Sequence, residues 1–83
     1  MQSKETIFLE LQRILSESFE IDSAAVTLDA NLYEDLELDS IDAIDLIVSV
    51  QDLIGRKVQP DNFKAARTVS DVVDIVYNLM NGQ

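Results

Sequence analysis

The sequence predicts an all-α fold: a small four-helix bundle with three longer helices, one short third helix and a long loop between helices one and two. Three observations predict it. Apolar residues recur at three- and four-residue spacing in three stretches, helix-stop signals fall between those stretches, and no strand-like alternation of useful length occurs. With 83 residues, 47% of them apolar but without Trp, the chain has material for one modest core of Leu, Ile and Val. Residues 1–83 are therefore expected to form a single domain.

Helix one is expected from Ser3 to Phe19, where Ile7, Leu11, Ile14 and Leu15 share one face. From Glu20 to Leu38 the periodicity fails, and Asp22, Ser23, Asp29 and Asn31 are turn formers. Long connections in small domains tend to be tied down, and Val26, Leu28, Leu32 and Leu36 are the expected tethers to the core. Helix two should run from about Ser40 to Ile54, with Asp39 and Ser40 both good capping types and Gly55 as its left-handed stop. Arg56, Lys57 and Pro60 form the next connection, and Asp61 to Ala66 has room for a third helix of one or two turns. Thr68 is placed to cap the last helix in a capping box with Asp71, ahead of the stripe Val69, Val72, Val73, Val76, Leu79 and Met80.

Sixteen acids against six bases, with no histidine, give a formal charge of −10, which repels nucleic-acid phosphates and anionic lipid surfaces. Residues 16–55 hold eleven of those acids and no Lys or Arg, so a basic protein surface is the natural complement. No stretch reaches membrane-spanning length and no leader-like pattern opens the chain, so a cytoplasmic monomer is expected. The absence of cysteine removes disulfides, thiolate metal sites and thiol nucleophiles together.

The stretch from Asp35 to Ile54, DLELDSIDAIDLIVSVQDLI, crowds Asp35, Glu37, Asp39, Asp42 and Asp45 around one hydroxyl, Ser40, and then turns apolar. Ser40 is a poor nucleophile here, because the chain has no histidine to act as base and the carboxylates oppose a developing alkoxide. A calcium loop counted from Asp35 also fails, with Ser40 where Gly is wanted and Leu46 where a bidentate Glu is required. Neither independent catalysis nor a metal site is expected. Leu46, Ile47, Val50, Leu53 and Ile54 suffice for a core stripe, which leaves Ile41, Ile44 and Val48 as surplus. By pattern alone two readings stand evenly: a docking edge flanked by Asp42, Asp45 and Asp52, or a wide face buried under the loop.

The segment DLELDSIDAIDLI resembles the Asp-Ser-Leu motif region of acyl carrier proteins, and the likeness extends over nearly the whole chain, through NLYEDL and the closing TVSDVVDIVYNL. That resemblance implies a carrier for acyl thioesters in fatty acid, polyketide or related biosynthesis. Ser40 would be the attachment point for 4'-phosphopantetheine, moved from coenzyme A by a separate phosphopantetheinyl transferase, with Asp39 helping to orient the serine. It further implies that Ile41, Asp42, Ile44, Asp45, Val48 and Asp52, with Asp35 and Glu37, dock acyl-processing enzymes through basic patches. By the same analogy Leu46, Val50, Ile54 and Phe63 would wall a space for the acyl chain. Two positions depart from the family pattern: Glu37 stands where Gly is usual, adding charge and stiffening the turn as in a specialised carrier, and Ile41 replaces Leu. The alternative left by charge alone is an acidic helical adaptor that binds a basic partner without a cofactor.

Uncompensated charge over residues 16–55 makes the folded state repel itself. Added salt or millimolar magnesium is therefore expected to raise the melting temperature. Calorimetry showing unchanged or lower melting would contradict this.

Overall fold

Helix α1 (Lys4–Ser18) begins at Ser3, whose hydroxyl accepts the Thr6 N–H at 3.2 Å. In the computed structural model, which describes residues 3–58, 60–63 and 65–81, α1 buries Ile7, Leu11, Ile14 and Leu15 as expected. The helix is closed by Phe19, and Glu20 follows in the left-handed region at φ +56°. That conformation costs a non-glycine residue about 1 kcal/mol, and it brings the Ile21 N–H onto the Leu15 carbonyl at 3.2 Å.

The connection to α2 contains one 3-10 turn, Ser23–Ala25, capped by the Asp22 carboxylate on the Ala24 N–H. Gln12 fastens this turn to α1, its Nε2 donating to the carbonyls of Ser23 at 2.9 Å and Val26 at 3.3 Å. Val26, Ala30, Leu32, Leu36 and Leu38 are buried. Leu28, expected to be a side-chain tether, is instead 47% exposed. Its backbone does the holding, because the Leu28 carbonyl accepts the Ser70 N–H at 3.0 Å. The Ala30 carbonyl accepts the Val69 N–H at 3.0 Å, and the Leu32 N–H donates to the Arg67 carbonyl at 2.8 Å. An isolated antiparallel bridge between Asn31 and Thr68 results, and no strand is present among the described residues.

Helix α2 (Ser40–Ile54) ends at Gly55 with φ +68°, the left-handed stop that its sequence suggested. Leu46 and Val50 are buried; Ile47, Leu53 and Ile54, expected in the same core stripe, are half-buried against it. Where a short third α-helix was expected over Asp61–Ala66, a single 3-10 turn, Pro60–Phe63, stands instead, and Lys64 lies outside the described residues. The Ala66 N–H donates to the Phe63 carbonyl three residues back, at 3.0 Å. Val58, Phe63 and Ala66 are all buried, so the segment is drawn tightly over the core. Short i→i+3 turns are common as connectors of this kind.

Helix α3 (Val69–Met80) buries Val69, Val72, Val73 and Val76. Its first amides are fully satisfied: Val69 and Ser70 by the connection, Asp71 by the Thr68 hydroxyl at 3.2 Å, and Val72 by the Thr68 carbonyl at 3.3 Å. The Asp71 carboxylate returns to the N–H groups of Arg67 at 2.9 Å and Thr68 at 3.2 Å, completing the capping box. Lys4 links α1 to α3, 3.0 Å from Asp74 and 5.2 Å from the Tyr77 ring centre. Arg56 links the end of α2 to α3, its Nη1 donating to the Leu79 carbonyl at 2.6 Å.

Thr68→Ala is expected to lower stability by about 1 kcal/mol in urea melts, the usual loss for an N-cap. The backbone N–H groups of Arg67 and then Thr68 hold the Asp71 carboxyl below its ordinary value. Its ionised form therefore contributes stability above the unfolded-chain value of about 4, and the contribution is lost as pH falls through the lower folded value. Asp71→Asn should be less stable than the parent at neutral pH, with the gap narrowing below about pH 4. A gap that does not change with pH would contradict that role.

Candidate functional site

The approach to α2 is built on Asn31. Its Oδ1 accepts the N–H groups of Tyr33 and Glu34, both at 2.9 Å, and its own N–H donates to Asp35 Oδ2 at 2.7 Å. The Leu38 N–H then closes on the Leu32 carbonyl at 3.0 Å, with Leu32, Leu36 and Leu38 buried beneath. Asp35, expected at the docking surface, thus holds the turn with one of its carboxylate oxygens while remaining exposed. Glu37 is exposed at φ +56°. The position where the resemblance expects Gly takes a backbone conformation that glycine adopts most easily.

Asp39, rather than Ser40, is the N-cap of α2. Asp39 Oδ1 accepts the Asp42 N–H at 2.9 Å, and Asp42 Oδ2 accepts the Asp39 N–H at 3.2 Å. Both carboxylates also suit the positive end of the helix dipole. Ser40 is left as the first helical residue, exposed, with its hydroxyl making no hydrogen bond to another described residue. Nothing walls it in. A phosphodiester on this oxygen would have room in solvent at the helix start, where water and salt screen it from the neighbouring carboxylates, so the residues present fit such a group.

Ile41, Ile44 and Val48 are 68%, 58% and 48% exposed. They are not a face buried under the loop, and Asp45 and Asp52 lie exposed beside them with Asp42 half-buried. Leu46, Val50 and Phe63 are packed into the core, and Ile54 is half-buried against it. A groove of about 410 Å³ opens between the end of α1 and the start of α2, its lining including Glu17, Glu20, Glu37, Asp42, Asp45 and Phe19. These carboxylates make a strongly negative rim. Among the described residues, no group of three or more His, Cys, Asp or Glu is arranged to hold a metal ion. No described helix is long and apolar enough to cross a membrane.

Sequence reasoning missed the Asn31–Asp35 turn and the left-handed Glu20 and Glu37. A signal existed for the first, since an Asn with an acid four residues on offers both halves of a capped turn. For Glu37 the signal was the Gly that the resemblance expects there, whereas for Glu20 no residue type announces the conformation.

Residues 10–76 match the family described as the phosphopantetheine attachment site. Acyl carrier protein 2 of Ralstonia nicotianae is 48% identical over 77 residues, spanning 92% of this chain and 95% of that protein. The acyl carrier protein of Coprothermobacter proteolyticus is 37% identical over 73 residues, 88% of this chain and 89% of that one. Among solved structures, the crystal structure of the Thermotoga maritima acyl carrier protein superposes with a TM-score of 0.82 at 26% identity, covering 94% of this chain and 91% of the other.

Glu37→Gly is expected to raise stability by up to about 1 kcal/mol, because relief of left-handed strain outweighs the added freedom of the unfolded chain. Asp39→Ala should cost about 1 kcal/mol through loss of the cap. Denaturant melts of both variants test the assignment; a destabilised Glu37→Gly would refute the strain.

Proposed function

The chain belongs to the acyl carrier protein family, and we propose that Ser40 is where its prosthetic group is attached. As a member, it is a carrier with a covalently held 4'-phosphopantetheine, and the cofactor-free adaptor that charge alone allowed gives way. The group supplies a thiol on which acyl chains ride as thioesters, in a protein that has no cysteine of its own. The single observation that carries the assignment to Ser40 is its hydroxyl, exposed and unbonded at the start of α2 because Asp39 has taken the capping role.

The chain's own residues supply position and recognition, not bond-making. No histidine stands near Ser40 to remove its proton, so that task falls to the phosphopantetheinyl transferase. Asp39 fixes the first turn and thereby orients the serine for the transferase. Ile41, Ile44 and Val48 form the apolar contact for acyl-processing enzymes, and Asp42, Asp45 and Asp52, with Asp35 and Glu37 beyond the helix start, steer their basic patches. Such charges speed encounter and leave release fast, as a carrier visiting several enzymes requires. Leu46, Val50, Ile54 and Phe63 are the walls between which an acyl chain would insert, each buried methylene contributing about 0.8 kcal/mol. Residues 1–83 act as one cytoplasmic, monomeric carrier domain with no catalysis of its own, the Pro60–Phe63 turn standing for the short third helix of a four-helix bundle.

Incubation with coenzyme A and a broad-specificity phosphopantetheinyl transferase should add one phosphopantetheine to the intact mass. Ser40→Ala should abolish the addition while leaving the melting temperature close to the parent's. Addition to the alanine variant would place the attachment elsewhere.

A further inference from the structure

The acidic docking edge of α2 does not stay acidic to its end. Ile41, Ile44, Val48 and Asp52 follow one another at helical spacing, and Gly55 is the next residue on that line. Gly55 is exposed, with nothing within 4 Å of where a Cβ would stand, so the line remains open to solvent as far as the helix stop. Arg56 and Lys57 come immediately after it, both exposed, and are the first bases after a forty-residue stretch that has none.

Among the described residues neither cation makes an ion pair. Arg56 is nevertheless held in place, because Nη1 donates to the Leu79 carbonyl at the end of α3 and the remaining guanidinium donors are left over. From Ser40 to Ile54 the helix rises about 22 Å. That is more than twice the screening length of about 8 Å at physiological salt, so the acids of the first turns act on a partner separately from Arg56 and Lys57. Asp52, one turn before Arg56, offsets one of the two cations and leaves the Gly55 end with a single net positive charge.

We propose that Arg56 and Lys57 give the α2 edge a direction, and that the enzymes docking there carry a basic patch for the Ser40 end and a carboxylate for the Gly55 end. In the reversed pose the partner's cations would face Arg56 and Lys57, and its carboxylate would face Asp42 and Asp45. Like charges then meet at both ends, and the pose is disfavoured. The direction matters because it keeps Ser40, and what it carries, at the partner's basic entrance. This inference rests on the carrier reading of the α2 edge.

The test uses an amphipathic helical peptide of about 15 residues, the length of α2, with arginines towards one end, a leucine stripe, and glutamates towards the other. Two versions differ only in which end bears a spin label, and amide signals of the isotope-labelled protein report where each label lies. The label at the arginine end should broaden Ile41 to Asp45, and the label at the glutamate end should broaden Gly55 to Lys57. Lys57→Gln, which leaves the Arg56 bond to Leu79 intact, should reduce the preference for that orientation by about two- to fivefold, the range of an exposed charge pair. Equal broadening of both ends by both labels, an undiminished preference in Lys57→Gln, or no binding at low salt would each overturn the proposal. Loading of Ser40, read separately by intact mass, distinguishes failure of the carrier reading from failure of the directional edge.

Discussion

Unpaired amides at helix starts are the constraint on which this structure depends. The first turn of a helix has N–H groups with no partner inside it, and here two such turns are completed from outside. At α3 the partners are the carbonyls of Leu28 and Ala30, so the long connection is held by backbone bonds where its side chains alone would leave it loose. That attachment brings Asn31 beside Thr68, and Asn31 in turn shapes the segment through Leu38. The chain therefore reaches Asp39 from a defined direction, and Asp39 caps the second helix start in a reciprocal pair with Asp42. Ser40 is displayed by consequence.

The same capping chemistry explains why the hydroxyl is available. Serine and aspartate compete for the N-cap position, and either would satisfy the amide two or three residues on. A carboxylate makes the stronger, charge-assisted bond. With Asp39 in that place, Ser40 falls one position inside the helix, where no backbone donor needs it. A serine at the cap itself would have its oxygen tied to the helix, and modification would have to break that bond first.

Charge and apolar exposure act together along α2. An edge with Ile41, Ile44 and Val48 in water would invite self-association, yet the molecule carries ten net negative charges, and two copies repel. A basic partner of the kind proposed would feel the opposite force and gain both attraction and burial. On the proposed docking role, the acids beside the edge rather than its shape would separate self from partner. The acids carry a cost in self-repulsion, which the Val-rich face of α3 and the buried face of α1 must offset.

Much of this was legible in the order of residues. The three α-helices, the Thr68 cap, the Gly55 stop and the serine amid carboxylates follow from local rules, because caps and periodicity act within a few residues of chain, whereas two neighbouring capping types left the start of α2 open between Asp39 and Ser40. Ile41, Ile44 and Val48 could not be assigned to water or core from spacing, since what covers a helix face is decided by elements distant in sequence. Leu28 reads as a tether and is exposed, because its carbonyl meets Ser70 across forty-two residues. Asp61 to Ala66 reads as helix and closes as one 3-10 turn at Pro60–Phe63, with Val58, Phe63 and Ala66 drawn into a core that local sequence does not reveal. Sequence by itself determined the three α-helices, the charge and the placing of one serine among carboxylates at a helix start; tertiary structure decided which apolar residues remain exposed and how the connection is held, because burial and backbone pairing between distant segments exist only once the helices have met.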